Sequence, residues 1–125
     1  MIKSAPYPTP DLSYLEEIAD GDREFIRRIV SLFLHSVPTV VKDLEQHNAY
    51  KDYKGLILDC HRLKSSYQMV GMKQAEEMIG IIDNQCRNNE NKPDFAKAIT
   101  EIKGLTEYTV TCLTVYLNNL PEKLH

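Results

Sequence analysis

The sequence predicts an all-α fold, an antiparallel up-down four-helix bundle preceded by a short N-terminal helix. Apolar residues recur at three-and-four spacing over four long stretches, the signature of helices with one buried stripe. No segment sustains period-two alternation, so no sheet is expected. Five glycines and six prolines in 125 residues are too few for a sandwich of many short strands.

Residues 1–9 read as an irregular lead-in, with prolines at 6, 8 and 10 around its end. Thr9 is the expected N-cap and Pro10 the first-turn proline of a short helix reaching about Ala19. That helix places Leu12, Leu15 and Ile18 on one face. Asp20-Gly21-Asp22 breaks it, and Asp22 is placed to cap the next helix. From Arg23 to about Gln46, Ile26, Ile29, Val30, Phe33, Val37, Val40, Val41 and Leu44 form an apolar stripe. Pro38 lies inside it, so a kink or break is expected there, and His47-Asn48 ends the run.

Asp52 caps a third helix with core residues Leu56, Cys60, Leu63, Tyr67 and Val70, and Gly71 supplies the left-handed residue that ends it. A fourth helix starts at Met72, runs through Ala75, Ile79, Ile82 and Cys86, and loses its pattern at Asn88-Asn89. The fifth follows Pro93, with Phe95, Ala98, Ile99, Ile102, Leu105, Thr109, Cys112, Leu113 and Tyr116 inward. The domain reading is an N-terminal segment 1–9, one helical bundle over 10–120, and a tail 121–125.

Composition narrows the function classes. A net charge of −3, from 15 basic and 18 acidic residues, gives nucleic-acid binding no support. No run of about 18 apolar residues is present and the N-terminus lacks a signal-peptide core, so a cytoplasmic protein off the membrane is expected. Nothing calls for a dimer, and a monomer is expected. Cys60, Cys86 and Cys112 are an odd number, widely spaced and on apolar stripes, which reads as small buried hydrophobes.

Catalytic and metal templates find no match. The chain has no H-E-x-x-H, no G-x-S-x-G and no phosphate-cradling glycine loop, and its histidines share no ligand spacing. His35, His47 and His125 read as surface or boundary residues. His61 differs in its neighbourhood. On a helix its side chain lies roughly 140° from the core face, so it points to solvent. Lys64 is one turn on, Ser65 and Gln68 complete the strip, and Ile57 and Leu58 precede it as apolar residues the core does not need. An exposed imidazole with an apolar rim and a cation suits docking of a partner and nucleophilic chemistry by the neutral ring. An exposed histidine beside a lysine is also common on helices, and the residues alone leave both readings open.

The segment His61-Arg-Leu-Lys64-Ser65-Ser66-Tyr-Gln-Met-Val70-Gly71 resembles the H-x-L-K-G-S-x-x-x-L-G signature of histidine-containing phosphotransfer (HPt) domains. Asp11-Leu-Ser-Tyr-Leu15, Gly21-Asp22 with Phe25, Phe33-Leu34 and Pro38 look like the first two helices of that family. Asp52 stands where the family caps its histidine helix, and the resemblance runs from about Asp11 to Leu117.

The resemblance implies a carrier in a two-component phosphorelay, with no kinase or nucleotide site of its own. His61 would accept a phosphoryl group from a receiver-domain aspartate and pass it to another. Lys64 would steady the charge, and Asp83, where the family usually holds Glu or Gln, would orient the imidazole. Tyr14, Ile57, Leu58, Ser65, Gln68 and Arg87 would meet the partner, a receiver domain of a response regulator or hybrid kinase. No cofactor is implied for this chain, the Mg²⁺ belonging to the partner's acidic pocket. Ser65 departs from the family, which normally has Gly there. Its side chain would narrow the partner's approach to the imidazole or donate a hydrogen bond to the phosphoryl group. The rival readings are an HPt-like adaptor without relay activity, which Ser65 favours, and a bundle holding a metal or cofactor, which the apolar inward stripes oppose.

Overall fold

Two aspartates set where the central helices begin. The Asp22 carboxylate accepts from the Phe25 amide at 3.1 Å, and Asp52 accepts from the Gly55 amide at 2.9 Å. Each satisfies an amide that the first helical turn leaves without a partner. In the computed structural model, which describes residues 7–88 and 94–121, the elements are α1 (Ser13–Ala19), α2 (Arg23–Ala49), α3 (Tyr53–Met69), α4 (Lys73–Asn88) and α5 (Ala96–Asn119). No strand occurs among the described residues. The chain reverses through Tyr50, Lys51 and Asp52 between α2 and α3, and through Val70, Gly71 and Met72 between α3 and α4. Connections this short force neighbouring helices antiparallel, and α2 packs on α3 and α5 while α3 packs on α4. The expected all-α bundle with its short leading helix is the observed architecture.

One apolar core joins all five helices, from Leu15 of α1 through Val30, Leu56, Leu63 and Ile79 to Ile102 and Leu113. Every core residue expected on α3, and those expected on α4 with Met72 just before it, is buried. On α5, Ala98, Cys112 and Tyr116 are half-buried, while Thr106, not anticipated inside, is buried.

Four local expectations need correction. The first helix is not capped by Thr9. It starts at Ser13, because Asp11 folds back to accept from the Ser13 amide at 3.0 Å and its hydroxyl at 2.6 Å. Those bonds hold the Asp11 carboxyl below the usual carboxylate range. Ile18 is 44% exposed, since Leu15 and Ala19 carry the buried face of this short helix and Ile18 lies about 90° from its centre. Pro38 does not break α2, which continues through it to Ala49, past the expected end at Gln46. Buried Phe33, Val37, Val41 and Leu44 pack on both sides of the proline, and that packing outweighs one missing hydrogen bond. His47 is not a simple boundary residue, as shown below. Pro93, Asn89, His125 and most of the proposed lead-in and tail lie outside the described residues.

Gly71 is placed for two reasons. Its φ of +66° lies in the left-handed region, and a Cβ there would run into the Asp11 carbonyl. The segment before α1 therefore crosses directly over the α3–α4 turn.

Candidate functional site

Helix α3 is held from three sides by its buried residues. The Phe33 and Tyr67 rings meet edge to face, 5.6 Å apart. The Tyr67 hydroxyl donates to Thr106 Oγ1, which is itself committed as a donor to the Ile102 carbonyl at 2.7 Å. Burial pushes the Tyr67 hydroxyl up to about 12. On the α2 side, Asp59 is only 1% exposed and its Oδ2 lies 2.5 Å from Nδ1 of His47. Sequence reasoning missed this pair. The signal was present, because Asp59 falls three residues after Leu56 and four before Leu63, on the buried stripe, where a carboxylate requires a partner. The bond to Asp59 holds the His47 imidazole above its ordinary value, helped by the charges of Asp59, Asp52 and Asp43. Burial pushes the Asp59 carboxyl up, and the His47 bond pulls it back.

With that face fixed, the opposite strip of α3 faces water. His61, Lys64, Ser65 and Gln68 are all exposed. Among the described residues no hydrogen bond or ion pair reaches the His61 ring, so both its nitrogens are open to chemistry. Leu58 is 51% exposed, whereas Ile57 is half-buried against the core and offers only an edge.

Helix α4 supplies the neighbouring wall. Gln68 and Glu76 line one hollow near the turn, together with Tyr14, Asp11, Gly71 and Lys73. Farther along, burial pushes the Cys60 thiol up to about 12, with the charge of Asp83 adding and that of Arg87 opposing. In an antiparallel pair, each turn walked back along α3 matches a turn forward along α4. By that register the turn of Lys64 lies across from Gly80, that of His61 across from Asp83, and that of Ile57 across from Arg87. Asp83 and Arg87 thus lie on the α4 wall near Cys60, the residue before His61, while Tyr14 and Gln68 share the hollow at the turn. The structure does not join Asp83 to the imidazole. Asp83 Oδ1 instead accepts from Arg87 Nε at 3.0 Å.

Ser65 is exposed one turn on from His61 and has a second neighbourhood as well. It lines an apolar groove between α2 and α3 with Ile29, Leu32, Phe33 and Met69, and Leu32 is 61% exposed there. Sequence reading assigned no role to that groove, because Leu32 lies off the stripe that marks the core. Among the described residues, no three His, Cys, Asp or Glu side chains come together as a metal site. No helix among them is long and apolar enough to cross a membrane.

Comparison with known proteins agrees with this geometry. The family model described as "Hpt domain" matches residues 28–111, from the second turn of α2 into α5. A phosphorelay intermediate protein of Dictyostelium discoideum, rdeA, is 27% identical over 112 residues, covering 82% of this chain and 44% of that protein. The chain therefore spans less than half the length of that relative. No solved structure matches it. With the family model matching two thirds of its length, the chain belongs to the Hpt domain family.

Proposed function

We propose that this protein is a phosphorelay carrier and that His61 is its phosphoryl acceptor. The observation that carries the reading is the unbonded, exposed His61 ring, one turn from Lys64 on a helix immobilised by its other face. The lone pair of Nε2 attacks phosphorus of an aspartyl phosphate on a receiver domain. The N–P bond forms as the P–O bond to the carboxylate breaks, and the electron pair leaves with the carboxylate. The ring keeps its Nδ1 proton and carries the positive charge. Return transfer to a second receiver reverses the same bonds.

Positioning and electrostatics supply most of what phosphoryl transfer requires, so one well-placed histidine suffices in the carrier. Lys64 offsets the charge of about −1.5 to −2 that the phosphoryl group brings. The divalent ion belongs to the receiver's acidic pocket, and the carrier relies on other proteins for its phosphate. Tyr14, Leu58, Gln68 and the rim of Ile57 form the docking surface around His61.

The test is incubation with a phosphorylated receiver domain, followed by assay for phosphate that is acid-labile and stable to alkali. Wild type becomes labelled, while His61→Gln keeps its helical circular dichroism and takes no label. A labelled His61→Gln protein overturns the assignment. A wild-type chain that binds receivers yet never becomes labelled is an adaptor.

A further inference from the structure

The Asp83–Arg87 pair raises a problem that the His61 reading alone leaves unsolved. A doubly charged phosphoryl group on His61 would arise on the turn facing a carboxylate. Like charges at such a separation repel, and Asp83 is half-buried, where water screens it less. Arg87, one turn farther along α4, commits its Nε–H to Asp83 Oδ1 at 3.0 Å, and its charge, like that of Asp83, acts on Cys60 next to His61. Its guanidinium is about half exposed and holds further donors pointing beyond that bond.

The surroundings allow the arginine to serve both anions. Glu76, Gly80, Asp83 and Arg87 form one stripe of α4, at successive steps of four, three and four residues. A Cβ built on Gly80 meets nothing within 4 Å, so the space beside Gly80 is clear. Asp is one methylene shorter than the Glu or Gln that the family resemblance led one to expect. A carboxylate on so short a side chain reaches its own helical neighbour four residues on, and that is where it is found bonded.

We infer that Asp83 and Arg87 work as one charge-compensated unit beside His61, in which Arg87 turns from the Asp83 carboxylate to the phosphoryl oxygens once His61 carries them. This rests on His61 being the acceptor. Arg87 then touches the transferred group, and Asp83 is a positioning residue that stores the guanidinium next to the vacant imidazole. The step itself is non-covalent: an N–H donor changes acceptor and no bond to phosphorus is made or broken by it.

A double-mutant cycle on the phosphoryl partition tests the unit. The measured quantity is the equilibrium distribution of phosphate between free receiver and free carrier, which docking affinity cannot alter. Arg87→Gln shifts the partition away from the carrier by about fivefold, the size of one exposed charge pair. Asp83→Asn, which removes the competing anion, shifts it toward the carrier. The Arg87→Gln shift is larger in the Asp83→Asn background than in wild type, because no carboxylate then competes for the guanidinium, and Arg87→Lys retains most of the wild-type value. Circular dichroism of each variant matches wild type, because both side chains lie at the surface. Overturning results are partitions within twofold of wild type for both single variants, or an Arg87→Gln shift of the same size in the wild-type and Asp83→Asn backgrounds. A wild-type chain that takes no label at all overturns the acceptor reading itself, whereas a labelled chain with an unmoved partition overturns only the role of this pair.

Discussion

His47 Nδ1 sits 2.5 Å from Oδ2 of Asp59, joining the end of α2 to a buried carboxylate two residues before His61. The ring fits there because residue 55 is glycine, whose ideal Cβ would come within 2.7 Å of the imidazole. Asp43, Asp52 and Arg62 are the other charged groups acting on the pair. Its energetic weight lies on the Asp59 side, since a carboxylate so buried has little water to fall back on.

His47→Ala leaves that carboxylate unpartnered and lowers stability by about 3 kcal/mol in urea unfolding. His47→Gln, which still donates but cannot ionise, loses less. The pH profile separates them further. The folded state holds the His47 proton more tightly than the unfolded chain, whose ordinary value is 6.5. The resulting stability is fully present below that value and is lost as pH rises through the higher folded value. Wild type therefore loses stability as pH rises above that ordinary value, and His47→Gln does not show this loss.

Gly71→Ala combines two penalties. A left-handed φ disfavours any Cβ by about 1–2 kcal/mol, and the added carbon meets the Asp11 carbonyl. A loss above about 2 kcal/mol is expected. Hydrogen exchange at the start of α1 will accelerate more than in the centre of α5, because α1's approach passes over this turn.

Thr106→Val and Tyr67→Phe remove opposite ends of one buried hydrogen bond and are not equivalent. Without Thr106 the Tyr67 hydroxyl is stranded in the core, at about 2 kcal/mol. Without the tyrosine hydroxyl, Thr106 keeps its bond to the Ile102 carbonyl and the loss is about 1 kcal/mol. Denaturant midpoints of the two variants decide this order.

Ser65→Gly restores the family residue at an exposed helical position. Stability falls by about 1 kcal/mol from backbone entropy, while the rate of phosphoryl transfer stays equal or rises as the approach widens. A clear drop in rate at unchanged folding shows that the hydroxyl takes part in transfer.

How much of the site is legible in the sequence depends on the range of the contact. His61, Lys64, Ser65 and Gln68 emerge as an exposed strip from helical periodicity, because residues on one helix have fixed relative directions. Their neighbours on other helices do not. Asp83 was expected to orient the imidazole and instead holds Arg87, a choice between two partners that depends on side-chain reach. His47 read as a boundary residue because its partner lies on a different helix. Leu32 and the α2–α3 groove went unread for the same reason, as their exposure follows from where two helices meet.

Helix number and order, the caps at Asp22 and Asp52, the buried stripes and the outward strip that bears His61 were legible before any contact was known. These are local consequences of periodicity, capping chemistry and the left-handed turn at Gly71. Interhelical packing settled that α2 survives Pro38 and that Asp59 is buried against His47. Each of those depends on which helix faces which and in what register, and interhelical packing supplies that information only after the chain has folded.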